Sequence, residues 1–241
     1  MSASSEKRAL ITGASSGIGK ATALAFAQSG IHVGLLSRSQ EKLAAVVQEA
    51  AKAGVTAKAY PIDLAEIDQV KEKMQAIAAD FGPIDILVNN AGMGYVKNIM
   101  DTPLSDWQKV IDLNLTSVFQ CIQGVLPQMR DRQRGTIINL ISIAGQQVFP
   151  NWGAYCVSKF GLMALSKTLA AEERAHGIRV SAICPGAVNT PIWDTDTMDV
   201  GFDRSAMLNP ETVAHSILVT ALLPEQAVIE EITLMPSGGA F

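Results

Sequence analysis

The sequence predicts an α/β fold in which a parallel β-sheet is covered by helices on both faces. Short apolar segments rich in β-branched residues alternate along the chain with longer stretches of helical periodicity. Several of these apolar segments are hydrophobic at nearly every position, as is typical of strands that are buried on both faces. Because strand, helix and strand repeat in this order, we expect right-handed βαβ units and a doubly wound architecture.

Each element follows from this alternation. We expect strands at residues 8–12, 32–36, 55–60, 84–89, 135–141, 178–184 and 228–234. We expect helices near residues 18–29, 40–53, 66–80, 105–130, 153–175 and 210–222. No linker, low-complexity tract or repeat interrupts the order, so residues 1–241 are predicted to form one domain.

The segment 186–209 departs from the pattern. It lacks periodicity, carries several large apolar side chains and follows the sixth predicted strand. Ligands of open α/β sheets bind at the carboxyl ends of strands, and long loops of compact domains often cover binding sites. We therefore predict that residues 186–209 form a substrate loop.

Composition excludes several function classes. The chain has 241 residues, of which 48% are hydrophobic and 17% charged, and its net charge is −4. This acidic balance disfavours nonspecific binding to nucleic acid or to an anionic membrane. No apolar run is long enough to span a bilayer, and the first residues lack the apolar region of a secretory signal. We expect neither nucleic acid nor a membrane as a partner.

The cysteines and histidines point to a cytoplasmic protein without a metal site. Cys121, Cys156 and Cys184 are odd in number and form no CxxC pair, which is typical of reduced thiols. The three histidines are far apart and show no HExxH spacing.

A glycine-rich turn lies between the first predicted strand and the first predicted helix. Gly13, Gly17 and Gly19 have the spacing GxxxGxG, which differs from the common GxGxxG pattern. Glycines let the backbone approach a pyrophosphate closely, and a helix amino end offers free N–H groups. The position therefore favours dinucleotide binding.

The same letters also spell GxSxG around Ser15, the nucleophile elbow of α/β-hydrolases. That alternative requires a histidine on a downstream loop. His176 falls at a helix end and His215 within a predicted helix, so a serine hydrolase is disfavoured.

The end of the second strand indicates which dinucleotide is bound. NAD-binding proteins usually have an acidic residue there, whereas this chain has Ser37 followed by Arg38. A guanidinium and a hydroxyl suit a 2′-phosphate, because they form charge-assisted hydrogen bonds with it. NADP(H) is therefore the predicted cofactor.

Four motifs in order resemble those of the single-domain short-chain dehydrogenase/reductase family, over essentially the whole chain. They are TGASSGIG at 12–19, NNAG at 89–92, YCVSK at 155–159 and PG at 185–186. The resemblance implies a Rossmann-type fold with a seven-stranded parallel sheet, and an NADP(H)-dependent oxidoreductase that acts on CH–OH groups.

The resemblance also implies the catalytic residues. Tyr155 would be the general acid–base, and Lys159, four residues later on the same helix face, its electrostatic partner. An ammonium and an oxidised nicotinamide should both lower the tyrosine pKa. Ser142 would polarise the substrate carbonyl, and Asn114 would hold a water molecule that relays protons through Lys159.

Further residues are implied as cofactor contacts. They are Gly13, Ser15, Ser16, Gly17, Ile18, Gly19, Ser37, Arg38, Asp63, Leu64, Asn90, Ala91, Gly92, Tyr155, Lys159, Pro185, Gly186, Val188 and Thr190. Asp63 would contact the adenine, Asn90 and Gly92 the adenosine ribose side, and Val188 and Thr190 the carboxamide and phosphates. Because Ser16 is not basic, Arg38 would hold the 2′-phosphate largely alone, which leaves room for some use of NADH.

The expected substrate pocket is apolar. Its predicted lining comprises Ser142, Met93, Tyr95, Ile143, Gln147, Trp152 and Trp193. At Ile143 many family members have a second serine. Apolar and aromatic walls suit a neutral, hydrophobic carbonyl compound.

Two alternatives remain. One is reduction of 3-oxoacyl thioesters on acyl carrier protein, for which the basic residues Arg130, Arg132 and Arg134 could contact an acidic carrier, although cations also complement a helix carboxyl end. The other is a dinucleotide-binding regulator without catalysis, which the presence of all four catalytic residues disfavours.

The predicted helix 105–130 is apolar around much of its circumference. A helix with two apolar faces is buried on both, here against another subunit. Since the resembled family commonly forms tetramers through such helices and its C-terminal segment, we expect a homotetramer.

Overall fold

The structure is a computed structural model that describes residues 6–198, 201 and 203–239. Seven parallel strands form one sheet in the order β3-β2-β1-β4-β5-β6-β7, which confirms the predicted fold class. The strands are β1 Arg8–Thr12, β2 His32–Ser37, β3 Ala57–Pro61, β4 Ile86–Asn89, β5 Gly135–Leu140, β6 Ile178–Pro185 and β7 Glu231–Leu234. The helices are α1 Gly17–Gln28, α2 Gln40–Ala51, α3 Ile67–Phe81, α4 Leu104–Ile111, α5 Ser117–Asp131, α6 Gly153–Glu173 and α7 Pro210–Leu222.

The sheet separates two apolar cores, because successive side chains of a strand point to opposite faces. In β1, Leu10 belongs to the core beneath α3, α5 and α6, whereas Ile11 belongs to the core beneath α1, α2 and α7. Both side chains are fully buried. The nearly continuous hydrophobicity of the predicted strands is explained by this double burial.

The strand order reverses between β1 and β4, which pair side by side. Loops from neighbouring strands diverge at such a point and leave a crevice at the carboxyl ends. The glycine turn follows β1 and the segment 89–92 ends β4, so both predicted motifs lie at this crevice.

The predicted helix 105–130 is not a regular α-helix. Its ends are close to prediction, but a π-helical turn, Asp112–Thr116, separates α4 from α5. The turn contains Asn114, whose side chain is fully buried. A π-helical turn accommodates an extra residue within a helix and is frequent at functional sites. Hydrophobic periodicity does not reveal such a turn.

The segment 186–209 connects β6 to α7 and forms two short 3₁₀ turns, Pro191–Asp194 and Arg204–Ala206. Its residues 199, 200 and 202, like the terminal residues 240 and 241, lie outside the described part of the chain. Within the described part, no helix is both long and apolar enough to cross a membrane.

The basic residues at the end of α5 form ion pairs within the protein. Arg130 donates two hydrogen bonds to Glu173, whose side chain is fully buried at the end of α6. Arg132 and Arg134 both pair with Asp85, at 2.8 and 3.4 Å. These arginines therefore fasten α5 to its neighbours, a role that the sequence did not indicate.

We expect the Arg130→Met variant to be less stable at neutral pH and to approach the wild type in acid. Arg130 lowers the pKa of the Glu173 carboxyl below its ordinary value, so the pair stabilises the fold above about pH 4.5 and ceases to do so as the pH falls through the folded pKa. Urea unfolding at pH 7 and at pH 3.5 measures the difference.

The Arg174→Met variant is the control, because Arg174 and its partner Glu230 are both largely exposed. A stability loss in Arg130→Met that is equal at the two pH values would contradict the assignment to the buried carboxylate.

Candidate active site

A cavity of about 220 Å³ opens at the carboxyl edge of the sheet, between the ends of β4, β5 and β6. Its polar lining comes from Asn90, Ser142, Tyr155, Lys159 and Thr190. The rest of its wall is mainly apolar. Three of the four predicted catalytic residues therefore meet in one cavity.

Tyr155 and Lys159 lie one turn apart on α6, and the ammonium lies 5.7 Å from the tyrosine ring centre. Lys159 is only 5% exposed, and its Nζ donates a hydrogen bond to the Leu140 carbonyl oxygen at 3.0 Å. Burial lowers the pKa of Lys159 to about 8. Lys159 is therefore still an ammonium at pH 7, but it loses its proton at a lower pH than an exposed lysine does.

The pKa of Tyr155 differs from the sequence-based expectation. Burial raises it to about 12, although a hydrogen bond with Ser142 acts to lower it. The Lys159 ammonium alone does not offset this burial. The expected lowering therefore depends on the additional positive charge that an oxidised nicotinamide would bring.

Ser142 has an unusual backbone conformation, with φ of 151°. Residues with side chains rarely adopt this region, and such strain is characteristic of functional sites. Ser142 begins the 3₁₀ turn Ile143–Gly145, and its Oγ accepts a hydrogen bond from the Ala144 N–H at 3.1 Å. A Cβ atom at Gly145 would lie 2.8 Å from the Lys159 carbonyl oxygen, so this turn packs directly against α6.

Asn114 supports the site from the π-helical turn. Its Oδ1 accepts from the Met93 N–H at 2.8 Å, and its Nδ2 donates to the Met93 carbonyl at 2.9 Å and to Ser158 Oγ at 3.1 Å. A Cβ atom at Gly92 would lie 3.1 Å from Asn114 Oδ1 and 3.7 Å from Lys159 Nζ. The side chain therefore fixes the segment after β4 beside Lys159, and its part in a water relay stays a prediction.

Thr12 is a positioning residue that the sequence analysis missed. Its hydroxyl oxygen accepts hydrogen bonds from the N–H groups of Asn90 and Ala91, at 2.9 and 3.0 Å. In return, Asn90 Nδ2 donates to the carbonyl oxygens of Thr12 and Gly13. The threonine before the first glycine, next to a motif rich in asparagine on the adjacent strand, was the available signal.

The glycine turn fits a dinucleotide phosphate. Gly13 and Gly17 have φ of 65° and 52°, which favour glycine. Ser16 precedes α1 without a side-chain cap, so the helix amino end keeps its N–H groups for an anion, as predicted for the turn that includes Ser15, Ile18 and Gly19. A Cβ atom at Gly19 would lie only 2.3 Å from the Gly13 carbonyl oxygen, so the turn closes too tightly for any side chain there.

The end of β2 also fits the predicted cofactor. Ser37 Oγ is buried and has no hydrogen-bond partner among the described residues. The exposed Arg38 follows it directly. Farther along the edge, the Asp63 carboxylate accepts from the Ala65 N–H at 2.9 Å, and Leu64 is buried in the core. A phosphate beside Ser37 and Arg38 would supply the missing acceptor.

Most predicted wall residues line the cavity, and two do not. Met93, Ile143, Trp152 and Trp193 line it, together with the cofactor-side residues Ile18, Pro185, Gly186, Val188 and Thr190. Tyr95 does not line the cavity: its ring is buried against Val110 and Ala154, and its hydroxyl donates to Asp106 at 3.0 Å. Gln147 does not line it either, since its side chain is exposed outside the cavity.

The wall also contains residues that the sequence analysis missed, among them the large side chains of Phe149, Ile192 and Met198. Phe149 belongs to an aromatic cluster, in which the Trp152 ring centre lies 5.5 Å from Tyr155, 6.2 Å from Trp193 and 6.4 Å from Phe149. Of the described lining residues, only Lys159 has a cationic side chain and none is acidic. The cavity is therefore suited to a neutral, largely apolar ligand.

The chain is similar to known proteins in sequence and in fold. A family model described as short chain dehydrogenase matches residues 7–200. The chain belongs to the short-chain dehydrogenase family. One relative of this dehydrogenase is the 3-oxoacyl-(acyl-carrier-protein) reductase FabG of Staphylococcus epidermidis, which is 42% identical over 183 residues that cover 76% of this chain and 75% of the relative.

Two solved structures share the fold of this short-chain dehydrogenase. A metagenomic short-chain oxidoreductase in complex with NADP has a TM-score of 0.84 and 32% identity, and the match covers 97% of this chain and 98% of that one. A variant of actinorhodin polyketide ketoreductase with NADPH has a TM-score of 0.88 and 29% identity, and the match covers 100% of both chains. The chain is accordingly an oxidoreductase of this family.

We expect the Lys159→Met variant of this dehydrogenase to be more stable than the wild type at pH 7, by about 2 kcal/mol after loss of one hydrogen bond. The folded pKa of about 8 lies below the ordinary value of 10.5, so burial of the ammonium costs stability below pH 8. Wild-type stability should rise between about pH 8 and pH 10.5 as folded Lys159 loses its proton first. Denaturant unfolding across this pH range measures both effects.

The Lys167→Met variant, on the same helix with a side chain that is 67% exposed, is the control and should show no gain. A Lys159→Met protein that is less stable than the wild type at every pH would contradict the prediction.

Proposed function

We propose that the protein catalyses NADPH-dependent reduction of a neutral, hydrophobic ketone to a secondary alcohol, and the reverse oxidation. The observation that carries the proposal is the meeting of Ser142, Tyr155 and Lys159 in an apolar cavity beside the glycine turn. The segment 186–209 supplies part of the wall and acts as the substrate loop.

The side chains divide the proton chemistry between them. The Ser142 hydroxyl donates a hydrogen bond to the substrate carbonyl and stabilises the negative charge that develops on its oxygen. The Tyr155 hydroxyl gives its proton to that oxygen, and Lys159 holds positive charge nearby. The bound dinucleotide supplies the hydride. Because the Tyr155 pKa is about 12 through burial, the tyrosine is protonated at neutral pH and is prepared to act as the acid in the reductive direction.

Preference for NADP(H) over NAD(H) is assigned to the end of β2. Ser37 has a buried hydroxyl without a partner among the described residues, and no acidic side chain occupies the position where a ribose diol would be bound. The exposed Arg38 guanidinium supplies charge for a 2′-phosphate. Ketoreductase and oxidoreductase structures with NADPH and NADP resemble this chain, which supports the same assignment.

The alternative is reduction of 3-oxoacyl thioesters on acyl carrier protein, which the 42% identity to FabG favours. The basic residues proposed to contact the carrier are engaged with Glu173 and Asp85, although Arg130 and Arg134 remain about half exposed. Part of their charge is therefore neutralised, which weakens the original argument for carrier binding. A regulator without catalysis stays disfavoured, because the site retains all of its proton-transfer groups.

We also propose a homotetramer in the cytoplasm. Phe119, Val157 and Phe160 are exposed on α5 and α6, and Val219 and Leu222 are exposed on α7, so these helices offer apolar surface to another subunit. Cys121, Cys156 and Cys184 are free thiols, in keeping with a reducing compartment.

The direct test is NADPH consumption with an activated aryl ketone and with a 3-oxoacyl thioester, for the wild type and for Tyr155→Phe. We expect the variant to keep its NADPH affinity and to lose at least about a hundredfold in kcat, because only the proton donor is removed. Tyr60→Phe, whose hydroxyl binds Asp80 outside the cavity, should retain full activity.

The rate ratio of the two substrates decides between the general ketone and the carrier thioester. Wild-type protein that binds NADPH and turns over neither substrate would refute the proposed reduction of hydrophobic ketones.

We expect Arg38→Ala to weaken NADPH binding by about tenfold and to leave NADH binding unchanged, because the guanidinium would bind the 2′-phosphate, which NADH lacks. Fluorescence titration of both nucleotides measures this preference. Lys52→Ala, an exposed cation at the other end of α2, is the control. If Arg38→Ala weakened the binding of NADPH and of NADH equally, the assignment of Arg38 to the 2′-phosphate would be wrong.

A further inference from the structure

The turn Pro191–Asp194 carries Ile192 and Trp193 to the cavity wall. Trp193 also reaches back towards the cofactor side, since its indole N–H donates to the Val188 carbonyl at 2.8 Å, and its ring lies against Trp152. The position of this turn therefore affects both the substrate wall and the strand end that faces the cofactor.

One side chain holds the two ends of this turn. Arg204 donates from Nε to Asn189 Oδ1 at 2.8 Å, from Nη2 to the Thr190 carbonyl at 3.0 Å and from Nη1 to Asp194 Oδ1 at 2.5 Å. The first two acceptors precede the turn and the third ends it. The guanidinium of Arg204, which lies later in the segment 186–209, thus bridges the two ends of the turn.

Backbone hydrogen bonds fix the residues that precede the turn. The Asn189 N–H donates to the Leu208 carbonyl, and the Leu208 N–H donates to the Ala187 carbonyl, each at 2.9 Å. Within the turn, the Trp193 N–H donates to the Thr190 carbonyl at 3.3 Å, and Thr195 Oγ1 donates to the Ile192 carbonyl at 2.8 Å. Arg204 adds hydrogen bonds that reach both ends of the turn from outside it. Thr197 Oγ1 donates a hydrogen bond to the Gly94 carbonyl oxygen at 2.8 Å, which anchors the residues that follow the turn.

We propose that Arg204 is a positioning residue of the active site, which holds the turn Pro191–Asp194 so that Trp193 faces Trp152 and the bound ketone. The kinetic consequence rests on the proposed ketone reduction. A planar guanidinium offers several donors in fixed directions, and a lysine ammonium cannot reach all three acceptors in the same geometry.

Charge attraction alone does not explain the arrangement. The side chains of Arg204 and Asp194 are 38% and 60% exposed, and an ion pair at such exposure contributes little to stability. The bonds to a backbone carbonyl and to an amide oxygen add direction instead. Arg204 therefore acts on the placement of the turn more than on the stability of the fold.

The kinetic test compares Arg204→Met and Arg204→Lys with the wild type, using an aryl ketone and NADPH. We expect Arg204→Met to raise the ketone KM by about tenfold, with kcat reduced less than about threefold, because the wall is displaced while the proton donors stay in place. Arg204→Lys should recover part of the affinity through its remaining charge and donors.

The matched control is Arg174→Met. Arg174 also pairs with a carboxylate at the surface, and it lies about 28 Å along α6 from Tyr155. The KM of Arg174→Met for the ketone should equal that of the wild type. A ketone KM in Arg204→Met that stays within about twofold of the wild type, or that rises equally in Arg174→Met, overturns the proposal.

A second measurement does not depend on catalysis. Hydrogen–deuterium exchange of the peptide that covers residues 188–195 should become faster in Arg204→Met and stay unchanged in Arg174→Met. If the wild type reduced no ketone, the proposed function would be refuted. Faster exchange in Arg204→Met would still support the positioning role of Arg204. Unchanged exchange in Arg204→Met overturns the inference whatever the activity.

Discussion

The hydrogen bonds of Thr12 join the two halves of the crevice on which the rest of the site depends. β1 and β4 lie side by side where the strand order reverses, and the glycine turn and the NNAG segment continue from their ends. One hydroxyl and one amide fasten these segments together. Because Gly92 then lies against Asn114 and Lys159, this junction also sets the distance of helix α6 from the crevice.

The site retains two unfavourable features in adjacent positions. Lys159 is an ammonium removed from water, and Ser142 has a backbone conformation that few residues with side chains adopt. Both would be eliminated if stability alone were optimised. The 3₁₀ turn that begins at Ser142 packs on the backbone of Lys159, so the two features lie in one closely packed part of the structure.

The fold and most of the site could be predicted because they depend on local patterns. Strand burial shows in continuous hydrophobicity, and the Tyr155 and Lys159 pair shows in a spacing of one helical turn. The features that could not be predicted depend on contacts between residues that are distant in the sequence. Nothing in the sequence shows that Tyr95 turns its hydroxyl to Asp106 and not to the cavity, or that Arg130 finds the buried Glu173. The rise of the Tyr155 pKa through burial was not foreseen either, because the cost of burial depends on how the walls enclose the ring.

The π-helical turn at Asp112–Thr116 separates the shape of the site from the packing of the core. The wider turn absorbs one extra residue, so α4 and α5 keep nearly the rotational phase that an uninterrupted α-helix would give them. Removal of one residue there would therefore leave Val118, Cys121 and Val125 directed into the core, while the backbone that presents Asn114 to Met93 would change. Evolution can gain or lose this feature by a single insertion or deletion without repacking the core.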